Sequence, residues 1–195
     1  MITTQDIKEL RDRTGVSIMQ CREALTAAGG DMEKALELLK KKSGDIAEKK
    51  SDRTLGAGVV SSYVHGGSIG AMVKLMCETD FVARNPEFKA LAEDIAMHVS
   101  AMNPEFVSEK EVSDDIKGAI RAGFEAEAAS MDKPADLKAK IVDGKVAAYF
   151  KERSLIDQPF IKTPELTVGD IIKAGTQKFG ERIEVGKIVR VSLVD

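Results

Sequence analysis

Two cysteines and two histidines are the side chains here best suited to act as nucleophile, base or soft metal ligand. Their spacing supports none of those uses. Cys21 falls on the inward stripe of a short helix with Ala24, Leu25 and Ala28, where a thiol is usually inert. Cys77 faces the core side of a strand, His65 lies in a glycine turn, and His98 sits one position off the buried face of a helix. These four residues do not have the spacing of a zinc site, and nothing pairs a cysteine with a histidine. The chain has no Walker-A sequence, no G-x-G-x-x-G and no nucleophile elbow. Its carboxylates are spread over helix faces. The pattern favours a protein that acts by binding another protein, with no metal, no cofactor and no catalytic residue. A thiol-dependent enzyme using Cys77 stays open as a competing reading.

The stretch with the most to offer runs from Val73 to Ala83. Val73, Leu75 and Cys77 alternate with Lys74, Met76 and Glu78 as a strand requires. The alternation breaks at Thr79-Asp80-Phe81, an acid and a large aromatic at the end of a rigid element, where binding groups are often carried. One reading makes Asp80 a helix cap and drops Phe81 into the core. The other turns both outward. The next helix has its own start signal in Asn85-Pro86, and the strand's core-facing set closes at Cys77. Neither Asp80 nor Phe81 is therefore needed inside, and the spacing favours the outward reading.

The 195 residues are enough for one or two domains, and 43% hydrophobic with 31% charged residues fits an ordinary globular protein. A net charge of −3 argues against a general nucleic-acid binder. Two distant cysteines suggest a reducing compartment. Neither a signal peptide nor a membrane-spanning run is evident, so a cytoplasmic protein is expected.

Residues 1–53 read as a small helical module with a charged linker. Thr3-x-x-Asp6 opens a helix that ends at Thr14-Gly15; Ser17-x-x-Gln20 opens a second, stopped by Gly29-Gly30; Asp31 caps a third carrying Met32, Ala35, Leu36 and Leu39. Met19 lies opposite the buried stripe of the second helix, either as a partner contact or as a lone exposed methionine. The lysines between 40 and 50 are interrupted by acids and read as a solvated linker helix, with a flexible boundary at Ser43-Gly44 and Ser51-Asp52.

Residues 54–195 read as an α+β core. Val59–Val64 and Ile69–Cys77 form a hairpin around His65-Gly66-Gly67-Ser68. Phe88, Leu91, Ala92, Ile95, Val99 and Met102 line a helix that covers it. Two helices over 113–130 and 135–153 form an antiparallel pair packed through Ile116, Ala119, Ile120, Phe124, Leu137, Ile141 and Ala148. Leu155–Ile161 is read as an extended connector. Thr167-x-x-Asp170 starts a last helix, and Ile183–Val194 supplies a third strand. The expected class is α+β: a three-helix bundle, then a small antiparallel sheet of about three strands packed with helices.

Three segments carry a resemblance. Leu10-Arg11-Asp12-Arg13-Thr14-Gly15-Val16-Ser17-Ile18-Met19-Gln20-Cys21-Arg22-Glu23-Ala24-Leu25 resembles the N-terminal signature of the elongation factor Ts family. Cys77-Glu78-Thr79-Asp80-Phe81-Val82-Ala83 resembles its second signature, and Gln158-Pro159-Phe160-Ile161 with Thr167-Val168-Gly169 its C-terminal segment. The similarity runs in order along nearly the whole chain.

The resemblance implies a guanine-nucleotide exchange factor for elongation factor Tu. It implies that the first module is similar to a ubiquitin-associated (UBA) domain and docks on the nucleotide-binding domain of the GTPase through Arg11, Ile18, Met19 and Arg22. Thr79, Asp80, Phe81 and Val82 would intrude beside the magnesium and phosphate site. The competing reading is a UBA-like protein-binding module without exchange activity. Longer members of the family carry two similar core halves, whereas this chain has room for one, in a core of dimerisation type. A homodimer joined by the last strand's edge or by exposed helices would supply the missing surface.

Overall fold

Thr3 and Asp6 each accept the other's backbone N–H, and this capping box starts helix α1 (Thr4–Thr14). Gly15 ends it at φ 68°, a left-handed conformation that glycine adopts without a Cβ clash. Ser17 and Gln20 repeat the device for α2 (Ile18–Ala27), and Asp31 caps α3 (Met32–Lys49). Leu10, Val16, Cys21, Leu25, Ala35 and Leu39 close a small apolar cluster between the three helices. The computed structural model describes residues 2–193.

α3 runs through the expected Ser43-Gly44 boundary without a break. The Ser43 hydroxyl is buried and donates to the Lys40 carbonyl, satisfying itself inside the helix. The segment read as a solvated linker is docked. α3 packs along α8 (Val168–Phe179), with Lys40 Nζ 2.8 Å from Asp170 and Lys50 donating to the Gly180 carbonyl at 2.7 Å.

The core is a three-stranded antiparallel sheet in the order β1 (Ala57–His65), β2 (Ile69–Cys77), β5 (Glu184–Ser192). Gly66 and Gly67 turn the hairpin at positive φ. Ala71, Val73, Leu75 and Cys77 face inward from β2 as their alternation dictates. In β5 the pairing slips at Lys74/Leu75, which makes Gly186 an extra residue. The bulge changes the parity of the strand, so Val185 and Ile188 both reach the core side. Val189, Val191 and Leu193 then point outward. Val194, expected at the end of this strand, lies outside the described residues.

α5 (Pro86–Met102) covers the inner face with Phe88, Ala92, Ile95, Ala96 and Val99. It ends at Asn103, which takes the left-handed cap conformation. α6 (Asp114–Ala129) and α7 (Ala135–Arg153) form the expected helical hairpin. Its seam is thinner than anticipated: Ile116, Leu137 and Ala148 are exposed, and Ala128, Val142 and Phe150 are the residues buried in its helices.

Two expectations are corrected on the flank of α5. The connector 155–161 contains one strand of a second hairpin, β3 (Pro159–Phe160) paired with β4 (Thr163–Thr167). Proline at the start of one strand and within the other hid the pattern. Because this hairpin covers α5, His98 is fully buried. Its Nε2 lies 2.9 Å from Gln158 Oε1, its Nδ1 accepts the Ile161 N–H at 3.2 Å, and its ring stacks on Phe160.

That arrangement requires neutral His98, and burial lowers its pKa despite the opposing bond from Gln158. The unfolded chain therefore binds a proton that the folded chain resists, so stability falls as pH drops below about 6.5. Urea unfolding between pH 7 and 5 should show a stability loss of at most about 1.4 kcal/mol per pH unit. His98→Gln should flatten the slope in this window.

Candidate protein-docking site

β2 ends at Cys77, and the chain turns at Glu78 and Thr79 into a single short helix, α4 (Asp80–Arg84). Thr79, not Asp80, is its N-cap; the Thr79 hydroxyl accepts the Val82 N–H at 3.5 Å. Asn85 then caps α5 through the Glu87 N–H, with Pro86 in the first turn. Two caps six residues apart give α4 one turn and a defined exit.

At about 100° per residue, one turn divides these side chains into two sets. Val82 and Ala83 drop into the core cluster, whereas Asp80, Phe81 and Arg84 face solvent. Phe81 is 81% exposed. It stands beside a shallow groove lined by Asp80, Arg84, Asn85 and Pro86. Asp80 and Arg84 form an i,i+4 pair at 2.9 Å, with both side chains largely in water. Such a pair is worth at most a few tenths of a kcal/mol and is readily exchanged for another partner.

Val82, which the resemblance places with Thr79, Asp80 and Phe81, is 5% exposed in the free protein. It anchors the turn that presents Phe81. A helical reading of residues 80–84 would have separated the two, because Val82-Ala83 continue the apolar face into the core.

Two carboxylates pin the base of this turn. Glu181 accepts the backbone N–H groups of Glu78 and Thr79 at 3.1 and 3.0 Å, and also the Thr79 hydroxyl. Glu78 accepts the Arg182 N–H at 2.6 Å and an Arg53 guanidinium N–H at 3.3 Å. The backbone bond from Arg182, then the Arg53 interactions, hold the Glu78 carboxyl below its usual range against a smaller desolvation penalty. Glu181 and Arg182 went unnoticed in the sequence because they lie about a hundred residues from the turn.

Cys77 is buried, and its thiol donates to the Thr79 carbonyl at 3.2 Å. Burial and the nearby Glu181 carboxylate raise its pKa. These conditions disfavour the thiolate, and His98 is engaged elsewhere, so a Cys–His nucleophile has no geometric basis. Cys21 is likewise buried, with its thiol pushed up by desolvation. Among the described residues no cluster of His, Cys, Asp and Glu could hold a metal, and no helix is long and apolar enough to cross a membrane.

The second candidate set lies on the N-terminal helices. Ile18 and Met19 are 58% and 68% exposed at the start of α2, and Arg22 is exposed one turn later. Arg11 on α1 is also exposed and near enough for its charge to act on the Cys21 thiol. Ile18 stands outside the buried stripe of Cys21, Ala24 and Leu25, next to Met19.

Lys178 of α8 ties the two regions together. Its Nζ would lie 3.4 Å from a Cβ on Gly15, two residues before the α2 cap, and is 2.7 Å from Glu87 in the first turn of α5. The α1–α2 turn and the α4–α5 turn therefore approach the same side chain.

Comparison with known proteins shows what the chain as a whole is similar to. A family model described as Elongation factor TS matches residues 15–194. Elongation factor Ts of Carboxydothermus hydrogenoformans is 45% identical over 194 residues, covering 99% of this chain and 89% of the relative. Elongation factor Ts of Thermodesulfovibrio yellowstonii is 42% identical over 97% of this chain and 94% of its own length. Elongation factor Ts of Desulfosudis oleivorans is 42% identical, with 98% of both chains covered.

Proposed function

The chain belongs to the elongation factor Ts family of translation elongation factors, and from that premise we propose that it releases guanosine diphosphate (GDP) from elongation factor Tu. It acts in the cytoplasm by protein–protein binding, makes and breaks no covalent bond, and uses no cofactor or direct nucleic-acid contact. Residues 1–53 form the docking module, and residues 54–195 form the core that carries the wedge.

The observation that carries this reading is Phe81. An aromatic ring exposed on a turn anchored by Val82, Ala83 and Thr79 contributes little to the core, and the backbone that presents it is anchored before any partner arrives. Nucleotide in such GTPases is held by phosphate contacts and a Mg²⁺ ion bridging their oxygens. Insertion of Phe81 between elements of the GTPase displaces groups that order the ion. Asp80, freed from Arg84, competes for hydrogen bonds in the same region. Arg11, Ile18, Met19 and Arg22 hold the GTPase domain while this happens.

Energetics require both regions. A 10⁴-fold acceleration corresponds to about 5.5 kcal/mol of barrier. Burying one phenylalanine supplies about 3 kcal/mol. The remainder comes from the docking module and the rest of the core. Linkage makes the effect mutual: a protein that weakens nucleotide binding is itself bound more weakly when nucleotide is present. Release of a fluorescent GDP analogue from elongation factor Tu, with and without this protein, tests the proposal.

A homodimer is part of the proposal. The outer face of the sheet exposes Val64, Met72, Val189 and Val191, which neighbour one another through the registers Val64–Gly70–Val191 and Ser62–Met72–Val189, with Val60 beyond them opposite Lys74. Two copies meeting face to face about a two-fold axis would bury this patch against itself. Sedimentation should then give a dimer mass, and Val191→Lys should give a monomer. A wild-type monomer with full exchange activity would contradict the dimer.

A further inference from the structure

We infer that Glu181 is a positioning residue for Phe81, holding the exchange wedge in its active direction by clamping the cap of the helix that carries it. The inference rests on the reading of Phe81 as the wedge.

α4 has five residues, far too few to hold a helical direction by its own hydrogen bonds. Its orientation is set by what anchors it. One anchor is apolar, with Val82 and Ala83 in the core. The other is Thr79, whose hydroxyl has one proton and two lone pairs. That hydroxyl accepts the Val82 N–H and donates its proton to Glu181, so both functions are engaged. The same carboxylate accepts the Thr79 and Glu78 N–H groups. Backbone and side-chain rotamer of the cap are therefore fixed together. Phe81 follows two residues later, so rotation at the cap swings the ring.

The clamp is reciprocal across two strand ends. Glu181 reaches from the α8–β5 turn to the backbone of 78 and 79, while Glu78 reaches back to the Arg182 N–H. Arg53, at the end of the N-terminal segment, donates to Glu78, and its carbonyl accepts from the Arg182 guanidinium at 2.6 Å. The α3 end, the wedge turn and the α8–β5 turn thus meet at one node. Charge-assisted bonds of this kind are stronger and more directional than neutral ones.

The test is a titration of this protein against elongation factor Tu loaded with fluorescent GDP, reading plateau rate and half-saturating concentration separately. Glu181→Ala should lower the plateau about tenfold and leave half-saturation within about twofold. A simple loss of folded protein would do the reverse, since it reduces the active concentration without changing the rate of the saturated complex. Glu181→Gln, which keeps the shape and one acceptor oxygen, should fall between Glu181→Ala and wild type and serves if the alanine variant does not fold. In a Phe81→Ala background, Glu181→Ala should cause no further loss, because its effect passes through the ring. The inference is overturned if Glu181→Ala and Glu181→Gln retain the wild-type plateau, or if Glu181→Ala lowers the plateau equally with and without Phe81. Failure of the wild-type protein to accelerate release overturns the exchange reading itself, and this role with it.

Discussion

Phe81→Ala lowers the plateau rate of GDP release from elongation factor Tu by about 100-fold while leaving the folded protein as stable as wild type. The two halves of this expectation have one cause. The ring is 81% exposed and leaves almost no apolar surface buried in the free protein. Its removal should change stability by no more than about 0.5 kcal/mol. In the complex the same ring must be desolvated between elements of the GTPase. Losing about 2.7 kcal/mol of that contribution, close to the burial value of one phenylalanine, corresponds to two decades in rate. Phe81→Leu should recover part of the rate, because it restores apolar volume without the planar ring. Matched chemical denaturation curves and stopped-flow release check both halves on the same preparations.

The double variant Ile18→Ala with Met19→Ala is expected to act on the other kinetic parameter. These side chains are exposed at the start of α2 and outside the cluster of Leu10, Cys21 and Leu25. Their truncation therefore leaves the small bundle intact. About six buried carbons and sulfurs disappear from the interface, each worth about 0.8 kcal/mol if fully desolvated. With partial desolvation the loss is about 2.7 kcal/mol, so the half-saturating concentration should rise about 100-fold. The plateau should stay within about twofold of wild type, since the wedge still enters once the complex forms. Loss of plateau with no change in half-saturation would reassign these residues from docking to exchange.

The elements that were legible in the sequence are those with a local signal. Thr3, Ser17, Asp31 and Thr167 each cap the helix their spacing announced, because a cap and its partner lie within three residues. The period-two pattern of β2 placed Ala71, Val73, Leu75 and Cys77 inward, and Phe81 stands outside because that alternation ends at Cys77 and the chain turns into α4. What escaped was non-local. His98 is buried by a hairpin sixty residues further along, and no periodicity of α5 could report that cover. Glu181 grips Thr79 across about a hundred residues of chain. Ser43-Gly44 carries the composition of a linker yet lies inside α3, where packing along α8 overrides the weak helix propensity of both residues. The resemblance grouped Val82 with Phe81, and only the helical geometry of α4 shows that the two side chains leave the turn in different directions.

Within the turn, exposure and rigidity have different sources. Phe81 is exposed because the strand's core face ends at Cys77. It is held because Thr79 is locked by Glu181 and because Val82 and Ala83 are buried. A wedge needs both, since an anchored backbone lowers the ordering cost of inserting the ring.

The account is tested most directly by stopped-flow release of fluorescent GDP from elongation factor Tu at increasing concentrations of the wild-type protein. The predicted result is a release rate that rises steeply, saturates, and shifts its midpoint upward when unlabelled GDP is raised. A release rate that stays at its intrinsic value across the titration, with this protein folded, would contradict it.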